Sequence, residues 1–103
     1  MAEEKYGSFC WIVRYKYIDP YQNDDVVYLN EAEAQKAAGY AAQELAHREM
    51  EAFEEAEGDT NLIDVLQFYD QKNYLEAYRS WSSYADEHDS EDTVELDQVN
   101  LVR

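Results

Sequence analysis

The sequence predicts an α+β domain in which a three-stranded antiparallel sheet is covered on one face by helices. Apolar and aromatic residues alternate near both ends of the chain, whereas the region between them repeats its apolar residues at helical spacing. In chain order these patterns give ββαααβ, an arrangement that packs helices against a small sheet. The 103 residues suffice for one hydrophobic core, so residues 1–103 are expected to form a single domain.

The first two predicted strands form a hairpin. Residues 8–18 predict the first strand, because aromatic and β-branched side chains occupy every second position. Residues 19–25 have the composition of a loop in which Pro20 ends the strand, and residues 26–29 resume the apolar character of a second strand. The side chains expected on the apolar face of the first strand are Phe9, Trp11, Val13, Tyr15 and Tyr17.

A long first helix is predicted after this hairpin. Asn30 is a competent N-cap, and Glu33 stands where its side chain can reach back to the cap amide in a capping box. Gly58 is expected to end the helix as a C-cap. The predicted buried stripe is built from small and apolar residues: Ala34, Ala38, Ala41, Ala42, Leu45, Ala52, Phe53 and Ala56.

Two further helices and a last strand are predicted next. Asp59 and its two neighbours are competent caps for the second helix, and a break is expected near Lys72 before a third helix that runs to about His88. In the last strand Val99 lies in the opposite phase to Val94, which predicts a bulge or break near residues 97–98. The predicted inward residues are Leu62, Val65, Leu66 and Tyr69 in the second helix and Leu75, Tyr78, Trp81, Ser82 and Ala85 in the third.

The charge of the chain is concentrated in two segments. Its 24 Asp and Glu outnumber its 8 Lys and Arg, for a net charge of −16. Residues 44–59 hold seven acids and one base, Arg48, and residues 86–97 hold seven acids and no base. The rest of the chain carries ten acids and seven bases, an ordinary balance. Hydrophobic residues make up 46% of the chain, too many for a disordered acidic tail.

Signals of enzymatic chemistry are weak. Three glycines cannot build a phosphate-binding loop, and Cys10 lies in a predicted strand, where burial as an inert side chain is expected. His47 and His88 have no zinc-ligand spacing, and residues 86–97 lack the ligand pattern of a calcium-binding loop. The sequence therefore predicts a non-enzymatic protein with no catalytic residue, cofactor or metal site. A lone cysteine and the lack of an apolar N-terminal run predict the cytoplasm, with no contact to a membrane.

The acidic segments are expected to bind a basic surface on another protein. Glu44, Glu51 and Glu55 fall on one side of the predicted first helix, spaced ~10 and ~6 Å along its axis, on the scale of the spacing of phosphates in DNA. Their field would attract a cationic groove and repel nucleic acid. The residues expected to bind the partner are Glu44, Glu51, Glu54, Glu55, Asp86, Glu87, Asp89, Glu91 and Asp92.

In size, charge, paired acidic clusters and aromatic content the chain resembles the small phage-encoded inhibitors that mimic DNA, among them anti-restriction and anti-CRISPR proteins. That resemblance implies a target in host defence, a CRISPR effector or a restriction nuclease, located in the host cytoplasm and blocked by competition with DNA or RNA. These inhibitors share no defining motif, so no residue role is carried over from them.

One alternative to the inhibitor is a small cytosolic adaptor or structural subunit that binds a protein partner and whose acidity serves only solubility. Arg14 and Lys16 and the exposed edges of the predicted sheet offer a second mode of binding, through which a homodimer could form. Such an edge serves an adaptor and an inhibitor equally and does not distinguish them. Tyrosines beyond the needs of the core fit any protein interface: Tyr40, Tyr69, Tyr74, Tyr78 and Tyr84.

Overall fold

A computed structural model describes residues 9–18 and 21–100 and has the predicted element order, ββαααβ. The mixed α+β fold with a three-stranded antiparallel sheet is confirmed. A short 3₁₀ helix, Glu54–Gly58, follows the first α-helix. The main elements are β1 (Phe9–Ile18), β2 (Tyr21–Tyr28), α1 (Glu31–Ala52), α2 (Thr60–Asp70), α3 (Tyr74–His88) and β3 (Thr93–Asn100).

The first strand of the chain lies in the centre of the sheet, in the order β2-β1-β3. Val13 pairs with Val26 on one side and with Leu96 on the other, and both pairings are antiparallel. The side chains of Val13 and Tyr17 are buried against the helices, as their alternation predicts. One face of the sheet therefore forms the floor of the core.

The second strand is longer than predicted. Residues 21–25, expected in a loop, pair with β1 from Ile18↔Tyr21 to Arg14↔Asp25. Asn and Asp have low strand propensity, but pairing with the long β1 outweighs that preference. Pro20 lies outside the described residues.

The predicted bulge or break in the last strand is wrong, since β3 is continuous. The pairing of β3 with β1 proceeds one residue at a time from Lys16↔Thr93 to Phe9↔Asn100. Val99 is in the opposite phase to Val94 because it lies opposite Cys10 on the other face of the sheet. The apolar side chains of β3 therefore switch from one face of the sheet to the other, although the pairing of β3 with β1 stays in register.

Asn30 caps α1 as predicted, since its side-chain oxygen accepts a hydrogen bond from the Glu33 N–H at 3.0 Å. The predicted end at Gly58 is wrong. The helix stops at Ala52, and Phe53 turns to an extended conformation with its N–H bonded to the Glu49 carbonyl. A helix continued through residues 53–58 would place three more carboxylates at its negative C-terminal end, where they are unfavourable.

The early end of α1 changes which side chains are buried. Ala52 and Phe53, both predicted to face the core, are exposed, and the Phe53 side chain is 55% exposed. Ala56, in the 3₁₀ helix, is buried as predicted. The other members of the predicted stripe of α1 are buried, together with Gly39 and Ala46.

The caps and breaks of the other helices are confirmed. The Asp59 side chain accepts a hydrogen bond from the Leu62 N–H at 3.2 Å and so caps α2. Lys72, with φ 62°, separates α2 from α3, and Asp89, with φ 49°, ends α3. Leu62, Val65 and Trp81 are fully buried at these helix interfaces.

The helices α1 and α3 run parallel. Tyr74, at the start of α3, lies against Gly39, and Tyr84, ten residues further along α3, hydrogen-bonds Glu49, ten residues further along α1. Both helices pack on the sheet. The helix α2 runs back from the C-terminal end of α1 to the N-terminal end of α3 and packs against the helices but not against the sheet. The C-terminal ends of α1 and α3 therefore lie side by side.

Candidate partner-binding surface

The first acidic segment divides where α1 ends. Glu44 and Glu51 are exposed on α1 and line a shallow groove with Tyr40, His47 and Tyr69. Glu55 is also exposed but belongs to the 3₁₀ helix, so the prediction that it shares one helix side with Glu44 and Glu51 is wrong. Glu54, its neighbour in the 3₁₀ helix, is exposed as well.

Glu55 instead lines a second groove at the junction of α1, the 3₁₀ helix and α3. Glu49 and Asp59 contribute two further carboxylates to this groove, and Phe53, Tyr84 and His88 contribute aromatic rings. The cavity has a volume of ≈430 Å³. This second groove places aromatic rings, which are enriched in the cores of protein interfaces, beside three carboxylates.

The second acidic segment begins in the last turn of α3 and continues through the turn after it. Asp86, Glu87, Asp89 and Glu91 are exposed, and Asp92 is partly buried. Ser90 fixes the turn, because its hydroxyl donates to the Asp92 carbonyl at 3.1 Å and accepts from the Asp92 N–H at 3.3 Å. The five residues expected to bind a partner in this segment are therefore contiguous at one end of α3.

Contacts between side chains join the two acidic segments. His88 Nε2 lies 3.7 Å from the Asp59 carboxylate, and the His88 ring stacks on Tyr84 with centroids 4.3 Å apart. The hydroxyl of Tyr84 donates a hydrogen bond to Glu49. The structure thus brings the end of the first segment against the start of the second.

A second connection runs through Tyr17 of β1. Burial, followed by the carboxylate of Glu44, raises the pKa of Tyr17 to about 12, and Asp92 adds to this rise. Arg48 lowers the pKa and stands over the Tyr17 ring at 5.1 Å from its centroid. Glu44 and Asp92, from different acidic segments, therefore act on the same side chain.

The negative ends of two helix dipoles reinforce this charge. The last turn of α1 contains no basic residue, and that of α3 contains only His88. Because α1 and α3 are parallel, their unsatisfied carbonyl groups, each helix end equivalent to about half a negative charge, lie together at the acidic end. Lys36, near the start of α1, and Lys72, just before α3, lie towards the other end, where the acids Glu31, Glu33 and Asp70 lie as well. Both ends therefore carry carboxylates, and their density is greatest at the C-terminal end.

Several tyrosines have roles that the sequence did not reveal. Tyr84 is 5% exposed and belongs to the core, and the Tyr78 hydroxyl accepts a hydrogen bond from the Leu96 N–H at 3.1 Å. Tyr40, which is 51% exposed, packs beside Tyr69 and Tyr74 in a surface cluster. Of the five tyrosines expected at an interface, the three in this cluster keep the tyrosine-rich surface that was predicted.

Alkaline pH is expected to weaken the fold through Tyr84. Burial, followed by the carboxylates of Glu49, Asp59 and Glu55, raises the pKa of Tyr84 from 10.0 to about 12. The folded protein holds this proton more tightly than the unfolded chain does. The free energy of unfolding should therefore be insensitive to this group below its unfolded pKa of 10.0 and should fall as the pH rises towards 12.

Urea unfolding over this alkaline range measures the effect. Tyr84→Phe should reduce the fall in stability, because phenylalanine has no proton to lose, and the remaining fall belongs to other tyrosines of raised pKa such as Tyr17. Glu49→Gln should make the fall in stability smaller and end it at a lower pH, since removing the largest of the carboxylate effects brings the folded-state pKa of Tyr84 closer to 10.0. A wild-type stability that stays level between the two pKa values would contradict the assignment.

The described residues give little support to other kinds of site. Within residues 9–18 and 21–100, no group of three or more His, Cys, Asp or Glu side chains is arranged to hold a metal ion. The predicted burial of Cys10 is confirmed. Over the same residues, no helix combines the length and apolar character needed to cross a membrane.

Comparison with known proteins adds no assignment. No protein-family model matches the chain, and neither the curated proteins nor the solved structures compared with it give a match.

Proposed function

We propose that the protein is an acidic inhibitor that binds the basic nucleic-acid-binding surface of a host defence protein and blocks its engagement of DNA or RNA. Targets of this kind are CRISPR effectors and restriction nucleases. On this proposal the protein acts in the cytoplasm, catalyses no reaction, needs no cofactor and does not bind nucleic acid itself. Its contact residues are the nine acids predicted from the sequence, now extended by Glu49 and Asp59.

The observation that supports this proposal is the meeting of the two acidic segments at the common C-terminal end of α1 and α3. Fourteen acids and one base occupy residues 44–59 and 86–97, and the contacts of His88 with Asp59 and of Tyr84 with Glu49 hold these segments together. Such a field attracts a cationic surface and raises the rate of association at low ionic strength.

A solubilising role accounts poorly for this arrangement. Solubility requires only a modest net charge mixed with the opposite sign over the surface. Here like charges are concentrated where two helix dipoles already end, which lowers stability through repulsion. A role in binding explains why the charge is placed at this one end.

The acidic surface also has features suited to a nucleic-acid-binding groove. Glu44 and Glu51 follow one side of α1 about 10 Å apart along its axis, a separation on the scale of a phosphate backbone. Tyr40 and Tyr69 flank them in the same groove, and tyrosine is enriched at interfaces because it supplies contact area and a hydroxyl group together.

The test of this function begins with affinity capture of the target from a bacterial lysate at low and high salt. Binding of the captured protein should weaken steeply as salt rises, and the inhibitor should prevent that protein from taking up labelled DNA or RNA. Glu44→Lys, Glu51→Lys and Glu55→Lys together should weaken inhibition by about a hundredfold, because three attractive charges become repulsive.

A triple variant at the opposite end of the helices provides the matched control. Glu31→Lys, Glu33→Lys and Asp70→Lys make the same change in net charge on exposed positions and should leave inhibition within about twofold. If the first triple variant folds and inhibits normally, the acidic end is not the binding surface. Recovery of no nucleic-acid-binding protein at low salt would count against the function itself.

The adaptor remains the second candidate because of the surface cluster of Tyr40, Tyr69 and Tyr74. The ring centroid of Tyr69 lies 6.3 Å from that of Tyr40 and 5.7 Å from that of Tyr74, and Tyr40 is exposed. An interface centred on these rings would depend on apolar contact more than on charge. Retention of a partner without nucleic-acid-binding activity at high salt, in the same capture experiment, identifies an adaptor.

A further inference from the structure

The second groove, at the junction of α1, the 3₁₀ helix and α3, has an apolar and aromatic lining. Phe53, Ala56, Tyr84 and His88 contribute to it. The rings of Tyr84 and His88 stack on each other, and Phe53, the first residue after α1, is 55% exposed. The volume of ≈430 Å³ lies within the range of typical small-molecule sites. The groove is therefore large enough for one long side chain of a partner.

Three carboxylates from different parts of the chain converge on this groove. Glu49 accepts the hydrogen bond of the Tyr84 hydroxyl, and Asp59 and Glu55 lie close enough to that hydroxyl to raise its pKa as well. One oxygen of Asp59 also lies 3.7 Å from His88 Nε2. The three acidic side chains are therefore grouped around one of the aromatic residues that line the groove.

This negative charge has little compensation within the groove. Of the described residues that line it, only His88 can carry a positive charge, against the three carboxylates of Glu49, Glu55 and Asp59. The C-terminal ends of α1 and α3, whose last turns contain no lysine or arginine, add the negative ends of two helix dipoles. A cation that enters the groove is attracted by several groups at once.

The combination of flat rings and separated carboxylates selects a guanidinium group. Within residues 9–18 and 21–100, no three acidic, histidine or cysteine side chains are arranged to hold a metal ion, so these carboxylates are not placed to chelate one. A guanidinium has five N–H donors spread over a plane, which can reach carboxylates on different walls, and its flat face packs on aromatic rings. A lysine ammonium is a point charge without a flat face.

We infer that the second groove binds the side chain of one arginine in the partner's basic surface, an inference that rests on the proposed function for the identity of the partner. The guanidinium donates to Glu49 and Glu55, and its flat face packs on Phe53. Asp59, held in place as the cap of α2, adds negative charge beside them. The groove thus acts as a specific anchor, a role that arginine often has at interfaces.

Nuclear magnetic resonance of the intact protein, labelled with ¹³C in its histidine rings, tests this inference. The protein has two histidines, and His47→Gln assigns their signals. His88 lines the second groove, whereas His47 lines the shallow groove beside Glu44 and Glu51 and reports on the rest of the acidic surface.

The probe is a blocked glycine–arginine–glycine peptide, titrated at constant pH and ionic strength. The same peptide with citrulline, a neutral isostere of arginine, is one control, and the lysine peptide is another. The His88 signal should move saturably with the arginine peptide. The lysine peptide should bind about fivefold more weakly and the citrulline peptide about tenfold more weakly.

Matched variants at exposed positions separate the groove from the general acidity of the surface. Glu55→Gln should weaken binding of the arginine peptide about fivefold, whereas Glu54→Gln, which removes the same charge from the preceding position of the 3₁₀ helix, should change it less than about twofold. Phe53→Ser should weaken the arginine peptide about fivefold and the lysine peptide less than about twofold, because the ammonium has no flat face to pack on the ring.

Equal movement of the His47 and His88 signals, or equal losses in Glu54→Gln and Glu55→Gln, would overturn the inference, because binding would then reflect only the overall field. The proposed function still stands in that case if the Glu44, Glu51 and Glu55 reversal weakens inhibition. Conversely, selective binding of arginine in the groove, without capture of any nucleic-acid-binding protein, supports the arginine site and contradicts the proposed function.

Discussion

Replacing Gly39 with alanine is expected to lower the free energy of unfolding by about 2–3 kcal/mol. An added Cβ would lie 2.7 Å from the Cβ of Tyr74 and 2.8 Å from its Cα, well inside the ~3.5 Å at which carbon atoms make favourable contact. Two of the three nearest atoms are main-chain atoms of Tyr74, so a side-chain rotation cannot relieve the clash. The helices α1 and α3 would have to move apart.

Gly58→Ala is the matched control for this substitution. A Cβ there would meet no atom within 4 Å, and no described glycine has a positive φ. Alanine should therefore stabilise the protein by roughly 0.4–1 kcal/mol, because it restricts the unfolded chain. Urea unfolding measures both changes, and a Gly39→Ala protein as stable as the wild type would contradict the close approach of α1 and α3.

Trp81→Ala is expected to lower the free energy of unfolding by about 4 kcal/mol, within the range typical of a large buried aromatic residue. Trp81 is the largest of the fully buried side chains and packs on Tyr84 with ring centroids 5.3 Å apart. Domains of this size are stable by only ~5–15 kcal/mol. The variant should therefore be close to unfolded at physiological temperature.

Trp11→Ala removes the same side chain from a partly buried position in β1 and serves as the control. It should cost about half as much, since less apolar surface leaves the core. Thermal unfolding followed by circular dichroism compares the two variants. Equal losses at Trp11 and Trp81 would show that the core is not centred on α3.

The parts of the fold that local sequence determines were predictable. Asn30 and Asp59 cap their helices through hydrogen bonds that reach only three residues along the chain, so their effect can be read from sequence. The alternation in β1 is equally local, because each side chain faces opposite to its neighbour. These signals were enough to give the correct order of elements and the antiparallel sheet.

The features that were missed depend on contacts distant in sequence. Asp24 and Asp25 join a strand because β1 offers a paired edge, which their own propensities do not show. Phe53 continues the apolar stripe of α1, yet the chain leaves the helix there to turn towards α2. Val99 lies opposite Cys10 on the far face of the sheet. From the sequence of one strand alone, apolar residues that switch faces look the same as a bulge, and only the pairing with the neighbouring strand distinguishes the two.

The candidate surface was predicted only in its composition. Both acidic segments are evident in the sequence, but their meeting requires α1 and α3 to run parallel with α2 returning between them. The contacts that establish this arrangement, Gly39 with Tyr74 and Glu49 with Tyr84, join residues 35 positions apart. The grouping of Glu55 with Glu44 failed for the related reason that α1 ends at Ala52.

The central position of β1 also governs when the protein can complete its sheet during synthesis. One neighbour, β2, follows at once in the chain, but the other, β3, emerges only after all three helices. Until then the nascent chain exposes one unpaired edge of its most apolar strand, and such edges invite association between chains. The last strand thus completes the core and also ends the period in which the newly made protein is most prone to aggregate.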